Sequence, residues 1–314
     1  MKLKYSVVIP LYNKEHYIKR TLQSVLSQTC QNFEVIVVDD GSSDHSLHAA
    51  KEIKSDKIKI ISQPNQGVAV ARNTGIENAA GVYIAFLDAD DEWQEEYLET
   101  IDILTRQYPE SDIFVTAYDV DMGKGKRKHS TQLSPQTGCL ESYWLTLSKG
   151  YDFVWTSAAT IKKQALLEAG CFKPGEKIGQ DLDMWARVAR NNPKVAYSSR
   201  SCAVYNRAAE ANARTRVKIA WAGAFIHDLE EELKNFKHTS EEIKAIQSKY
   251  DKKMTVYIFT CIMADEKQRA SKALKNWKGK KNFRNRLLRA GLRTAMLMPS
   301  VVNRSIYNIR LKVF

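Results

Sequence analysis

The stretch Tyr83-Ile84-Ala85-Phe86-Leu87-Asp88-Ala89-Asp90-Asp91 constrains this chain more than any other. Five consecutive apolar or aromatic side chains read as a buried strand, and carboxylates gather where that strand ends. Clustered carboxylates repel one another unless a hard divalent cation or a hydrogen-bond network satisfies them. Asp also suits a turn or a helix cap ahead of Glu92-Trp93, so the segment alone leaves both readings open.

The arrangement recurs. Ser6-Val7-Val8-Ile9-Pro10 runs into Leu11-Tyr12-Asn13, and a helix follows with Tyr17, Ile18, Leu22, Val25 and Leu26 at helical spacing. Phe33 to Val38 runs into Asp39-Asp40-Gly41-Ser42-Ser43-Asp44. Lys59-Ile60-Ile61 leads to Gln63-Pro64-Asn65-Gln66-Gly67, with a helix expected from Ala69 through Ala79. Strands alternating with helices at this spacing predict an α/β fold with a doubly wound, mostly parallel sheet. In such sheets ligands bind just beyond the carboxyl ends of the strands. Helix capping alone would have to explain polar strand ends three times at one edge. No G-x-x-x-x-G-K-[ST] or G-x-G-x-x-G loop is present, so a diphosphate here needs a cation and an Arg rather than a nest of backbone amides. Arg72, at the start of the third helix, is the available Arg.

Four ordered motifs, Ser6 to Asn13, Val38 to Asp44, Ala71-Arg72-Asn73-Thr74-Gly75 and Leu87 to Asp91, carry a close resemblance to the inverting family-two glycosyltransferases of the GT-A fold, of the bacterial cell-surface polysaccharide type. The likeness covers roughly residues 4 to 110. It implies a Rossmann-like, mixed but mostly parallel sheet flanked by helices, and a metal-dependent hexosyltransferase. By that similarity Pro10, Tyr12, Asp39, Asp40, Arg72, Asp88, Ala89 and Asp90 would cradle a nucleotide-sugar, with one Asp of the 39/40 pair on the base. Asp88 would lie by the ribose and metal, and Asp90 would bind Mg²⁺ or Mn²⁺ bridging the diphosphate. A hard cation accepts carboxylate and phosphate oxygens together, which makes that set chemically coherent.

A second informative stretch is Gly179-Gln180-Asp181-Leu182-Asp183-Met184-Trp185, where a helical pattern starts and places Asp181 at the helix N-terminus. The family pattern reads Gly-Glu-Asp here with its Asp as general base. The chain keeps Asp181 and has Gln180 where Glu is usual, and Asp183 is the second acid on that turn. Trp155, Thr156, Ser157 and Gln180 are expected on the acceptor side. In some members a C-terminal lid supplies a metal-binding His. Between Tyr205 and Arg216 there is no His, and Arg207 and Arg214 are the lid candidates. The polar run Gly123 to His129 reads as an exposed hairpin or loop, and Leu140 to Leu147 as an amphipathic segment.

Charge divides the chain. Residues 1–215 carry 26 Lys and Arg against 27 Asp and Glu, and residues 216–314 carry 22 against 9; none of the nine acids lies beyond Glu266. We therefore expect a nucleotide-sugar-dependent catalytic domain over 1–215 and a basic helical region over 216–314. Helices are expected at about 219–236, 241–264 (after a capping box at Ser240) and 282–298. On the last, Arg286, Arg289 and Arg293 share a face, as on an interfacial helix. Residues 267–314 are thus a candidate contact for an anionic membrane surface. Nucleic acid is disfavoured because no recognised motif accompanies the charge.

Five scattered Cys without zinc spacing fit free thiols in a reducing compartment. No apolar run is long enough to cross a bilayer, and because the N-terminus enters a strand almost at once, no signal peptide is expected. The expectation is a cytoplasmic enzyme, peripheral on the inner face of the membrane. It would move one sugar, from a UDP-sugar, to a glycan or lipid-linked glycan hydroxyl in surface polysaccharide synthesis. Competing readings are a sugar-nucleotide pyrophosphorylase, a D-x-D phosphohydrolase and a non-catalytic glycosyltransferase-like interaction protein.

Overall fold

The computed structural model describes residues 3–123, 127–129, 136–147, 153–176, 179–207, 223–234, 237–279 and 283–297. The four apolar runs form β1 (Tyr5–Leu11), β2 (Phe33–Asp40), β3 (Ile58–Gln63) and β4 (Tyr83–Phe86). They lie parallel in the order β3-β2-β1-β4, with Leu11 opposite Asp39, Asp40 opposite Gln63, and Val8 opposite Phe86. Because all four point the same way, the polar residues that follow them collect at one edge. Connections run through α1 (Ile18–Leu26), α2 (Ser46–Glu52) and α3 (Val68–Asn78). Ile18, Leu22 and Val25 of α1 are buried, as their spacing predicts.

Beyond β4 the sheet becomes mixed. β5 (Glu92–Trp93), α4 (Tyr97–Gln107), β6 (Ile113–Asp121), β7 (Arg127–His129), β8 (Thr137–Leu140) and α5 (Tyr143–Thr146) come next. A 3₁₀ turn at Thr156–Ala158 then leads directly into β9 (Ala159–Lys162) and α6 (Lys163–Glu168). The last elements of this part are α7 (Gln180–Asn191) and β10 (Val195–Asn206). The order continues β4-β9-β6-β10-β5, with β9 antiparallel to both β4 and β6, and β10 parallel to β6. β7 pairs antiparallel with β6, Asp119 opposite His129 and Asp121 opposite Arg127. Of the run expected as a hairpin or loop, Arg127 to His129 is thus a strand, and residues 124–126 lie outside the described residues. Trp185 of α7 is fully buried, with its ring centroid 5.7 Å from that of Phe86 and 5.9 Å from that of Phe172. That aromatic contact anchors α7 next to the end of β4.

The chain forms two compact units, Met1–Asn212 and Ala213–Phe314. In the second, α8 (Gly223–Glu232), α9 (Ser240–Met263), α10 (Lys267–Asn276) and α11 (Phe283–Leu297) are described. The capping box before α9 belongs to Thr239, which exchanges hydrogen bonds with Glu242, and not to Ser240. Asp251 of α9 accepts from Trp277 Nε1 (3.0 Å) and Asn285 Nδ2 (2.9 Å), tying α9 to the residues after α10 and to α11. The three arginines expected on one face of α11 do not share an environment. Arg289 donates to the Trp277 carbonyl (2.7 Å) and lies over its ring, whereas Arg286 and Arg293 are exposed.

α3 comes unusually close to the sheet at Gly75. A Cβ there would lie 2.3 Å from Val8 Cγ1 and 3.1 Å from Cγ2, and Val8 is fully buried in β1. Gly75→Ala must therefore push α3 off β1, an overpacking penalty of about 1–3 kcal/mol. Urea unfolding should show a lower midpoint at unchanged slope.

Candidate active site

The loops after β1 and β2 are stitched together. Asn13, with φ of 53°, accepts from Ser43 N–H (2.9 Å), and Lys14 N–H donates to Ser46 Oγ (2.6 Å). Pro10 and Tyr12, just before this loop, are half-buried. The two acids that end β2 have separate fates. Both Asp40 oxygens are used: Gln63 Nε2 (2.7 Å) and Gln66 N–H (2.9 Å) on one, Gly67 N–H (2.8 Å) on the other. Asp40 thereby builds the loop that starts α3. Asp39, also buried, accepts one long bond from Ser42 N–H (3.3 Å) among the described residues.

The acids beyond β4 divide further. Asp88 is paired with Arg72 Nη2 at 2.7 Å. Arg72 is 4% exposed, lies over the Phe172 ring, and its Nε is buried without a hydrogen-bond partner among the described residues. Asp90 is paired with Lys14, a residue that the motif reading passed over. Burial pushes the Asp90 carboxyl up, and the Asp88 charge adds to this while Lys14 opposes it. Asp91 is turned inward and 1% exposed. It accepts from Ser157 Oγ–H (2.6 Å) and from Asn206 N–H at the end of β10 (2.9 Å). Burial, then the charges of Asp90 and Asp88, hold its carboxyl well above the usual carboxylate range. The intervening Ala89 is buried, and its carbonyl and that of Asp91 both accept from Thr21 Oγ1–H (3.0 and 2.8 Å).

Across the 3₁₀ turn stands α7. Gly179 precedes it in a left-handed conformation (φ 77°), which directs the chain into the helix at Gln180. Asp181, in the first turn, accepts from Thr156 Oγ1–H (3.0 Å) and from Leu182 N–H (2.9 Å). The helix N-terminus favours its negative charge. Asp183 is fully buried and neutralised by Lys173 (2.7 Å) and Arg187 (2.7 Å), so it is not an accessible base. Thr156 and Ser157, expected to face an acceptor, are 2% and 0% exposed with their hydroxyls on Asp181 and Asp91. Trp155 is half-buried between Tyr118 (ring centroids 4.3 Å apart) and Tyr205 (5.2 Å). Gln180 is buried. Arg207 is exposed near Met122, and Arg214 lies outside the described residues.

The family model described as "Glycosyl transferase family 2" matches residues 6–169, more than half of the chain. The chain belongs to glycosyl transferase family 2. An uncharacterized glycosyltransferase of Rickettsia conorii is 41% identical over 193 residues, which is 60% of this chain and 30% of the relative. One of Nostoc is 35% identical over 171 residues, 52% of each chain. Glycosyltransferase GlyA of Streptococcus pneumoniae is 42% identical over 100 residues, 31% of this chain and 14% of GlyA. The chain thus spans between 14% and 52% of the length of these relatives. Among solved structures, residues 1–349 of Staphylococcus aureus TarS with UDP-GlcNAc superpose with a TM-score of 0.65 at 18% identity, over 82% of this chain and 81% of that TarS portion. Mannosyltransferase PcManGT of Pyrobaculum calidifontis, with GDP-Man and Mn²⁺, gives 0.58 at 16% identity, over 98% of this chain and 87% of PcManGT. These likenesses establish the GT-A fold.

Among the described residues no three His, Cys, Asp or Glu side chains gather as a cation cage. Asp88 and Asp90 nevertheless fit a cation of the Mg²⁺ type, which takes one or two carboxylates and completes its shell with water and substrate phosphates. The buried, unpartnered Arg72 Nε beside them adds a donor suited to phosphate.

The Asp40 bonds carry a direct test. Asp40→Ala leaves the Gln66 and Gly67 amides unmet at the start of α3, at about 1–3 kcal/mol for each amide that water does not reach. Thermal melting should show a clear loss of stability without any ligand present.

Proposed function

We propose that this protein is an inverting, metal-dependent glycosyltransferase that moves one sugar from a nucleoside-diphosphate sugar, a UDP-sugar, to an acceptor hydroxyl. The observation that carries the reading is the pairing of two kinds of carboxylate across one turn. Crowded, charge-stressed acids lie beside Arg72 at the end of β4, and a half-buried Asp181 without a cationic partner among the described residues stands at a helix N-terminus. The binding of UDP-GlcNAc by TarS and of GDP-Man with Mn²⁺ by PcManGT supports the donor class and the divalent cation.

In this reading Pro10, Tyr12 and Asp39 hold the nucleoside and Arg72 the diphosphate. Asp88 and Asp90 hold Mg²⁺ or Mn²⁺, which when bound neutralises charge on the departing nucleoside diphosphate. Asp181 takes the proton of the acceptor hydroxyl as its oxygen attacks the anomeric carbon. Attack from the face opposite the leaving group inverts that carbon. Aligning both substrates in one site lowers the barrier by itself, and the general base adds roughly 10²–10⁴-fold. A pyrophosphorylase would carry a glycine-rich loop where Pro10-Leu11-Tyr12-Asn13 stands, and a D-x-D phosphohydrolase would carry its acids after the first strand.

The test combines binding and turnover. UDP-GlcNAc, UDP-glucose, UDP-galactose and GDP-mannose are screened with Mn²⁺ by thermal shift, where a bound ligand adds RT ln(1 + [L]/Kd) to stability. Asp181→Asn should keep the shift from the preferred donor while nucleoside diphosphate release falls roughly 10²–10⁴-fold. Normal turnover in Asp181→Asn refutes the choice of base, and no shift with any donor refutes the donor class.

The acceptor in this reading is a glycan or lipid-linked glycan of a surface polysaccharide, met at the inner face of a membrane. Among the described residues no helix is long and apolar enough to cross a membrane. Support for a surface contact comes from α11, whose exposed side chains alternate Arg286 and Arg293 with Leu287 (57% exposed) and Leu297 (86%). Such a mixed face suits anionic headgroups with apolar insertion. Each basic residue near an anionic surface contributes about 1 kcal/mol, so Arg286→Gln with Arg293→Gln should weaken binding to phosphatidylglycerol vesicles roughly 30-fold. Cosedimentation equal to that of the unaltered protein removes the membrane contact.

A further inference from the structure

We propose that the 3₁₀ turn Thr156–Ser157 is a positioning strut that sets the carboxylates of the donor site and the base Asp181 in one frame, through two adjacent hydroxyls. The inference rests on the function proposed above and deepens it. Thr156 and Ser157 touch no reacting atom in this scheme, and they act through the acids they hold.

The geometry is specific. Successive residues of a 3₁₀ turn point about a third of a revolution apart, so neighbouring side chains reach different elements. Thr156 Oγ1–H donates to Asp181 Oδ2 at 3.0 Å, on the α7 side. Ser157 Oγ accepts the Asp88 N–H at 3.1 Å and donates to Asp91 Oδ2 at 2.6 Å, on the β4 side. The Ser157 carbonyl accepts Trp93 Nε1 at 2.6 Å, which locks the turn from a third direction. Both residues are buried, and the turn runs straight into β9, held between β4 and β6. Rotating Ser157 breaks the buried bond to Asp91, and rotating Thr156 breaks the part-buried bond to Asp181, each at a cost.

The consequence is a division of labour between two consecutive residues. Ser157 fixes the backbone of Asp88 and the inward turn of Asp91, so it governs how well the end of β4 receives a cation. Thr156 fixes the direction of the Asp181 carboxylate, so it governs proton removal alone. Hydrogen-bonded neighbours of metal ligands typically change metal affinity 10- to 100-fold when removed. A lost hydrogen bond to a carboxylate is an effect of roughly the same size on the group it orients.

The experiment uses the full chain with Mn²⁺ and UDP as binding probes, and nucleoside diphosphate release from the preferred donor of the panel as turnover. Thr156→Val should lower kcat about 10- to 100-fold with donor KM unchanged and with Mn²⁺ affinity in the presence of UDP unchanged. Thr156→Ser, which restores the donor, should recover most of kcat. Ser157→Ala should instead weaken Mn²⁺ binding about 10- to 100-fold and raise donor KM. Should Ser157→Ala not fold, Ser157→Cys, close in size and a poorer donor, is measured in the same way. The proposal falls if Thr156→Val turns over at the unaltered rate, or if both variants lose only melting temperature. It also falls if the two give the same kinetic signature. Asp181→Asn, run alongside, separates the two levels. If it is inactive while Thr156→Val is normal, the strut fails and the base stands; if Asp181→Asn is active, the underlying reading fails first.

Discussion

Carboxylate repulsion at the end of β4 is the constraint around which this site is built. Asp88, Asp90 and Asp91 fall within four residues where a buried strand meets the sheet edge, and two like charges a few ångströms apart at an effective dielectric of about 20 repel by several kcal/mol. The fold meets that repulsion with a different partner for each acid. Arg72 comes from α3, Lys14 from the loop after β1, and the Ser157 hydroxyl with the Asn206 amide from the far half of the sheet. The elements that deliver those partners are the elements that surround the site. Electrostatics and topology are therefore one problem here.

Topology supplies the rest. β3, β2, β1 and β4 are parallel, so every loop that follows them opens on one edge. Insertion of β9 antiparallel between β4 and β6 brings the Thr156–Ala158 turn to that same edge. Without this insertion α7, and Asp181 with it, would have no buried hydroxyl to hold it beside the acids of β4. The apolar clamp of Phe86, Phe172 and Trp185 holds the helix from behind, where offset and edge-to-face rings each contribute about 0.5–1.5 kcal/mol beyond their burial.

Much of this was legible in the residues. Apolar runs identify β1, β2 and β4 because strands buried on both faces have little polar to alternate with, whereas β3, at the sheet edge, is only partly buried and shows a short Ile60-Ile61 core. The motif acids mark the edge, and helical spacing locates α1 and α3. Long-range pairing was not legible. Nothing local in Ala159-Thr160-Ile161 says that it runs antiparallel between two strands from elsewhere. For the same reason Thr156 and Ser157 read as surface hydroxyls facing a ligand, although both are buried against acids far away in sequence. Lys14 was missed because its partner, Asp90, lies 76 positions away. In the second unit α10 escaped notice because it buries only Ala270 and Leu274 and so shows no apolar stripe. Periodicity puts Arg289 on the cationic face, and its stacking on Trp277 depends on a tertiary contact that periodicity does not encode.

The acids also show a repeated device. In three places carboxylates that stand close together in sequence take different partners. Asp40 is spent on the loop before α3 and Asp39 is not. Asp91 binds Ser157 and the Asn206 amide while Asp88 and Asp90 meet cationic side chains. Asp183 is enclosed by Lys173 and Arg187, while Asp181 accepts, among the described residues, from a hydroxyl and one amide. A buried acceptor with several donors fixes the backbone that carries it, because turning it out would leave those donors unmet. Its neighbour on the same backbone is then aimed with little further loss of conformational entropy. At two of these places, Asp91 and Asp183, a buried carboxylate thus orients more exposed acids on the same backbone. Sequence proximity alone does not say which is which, and only the donors that converge on each oxygen decide it.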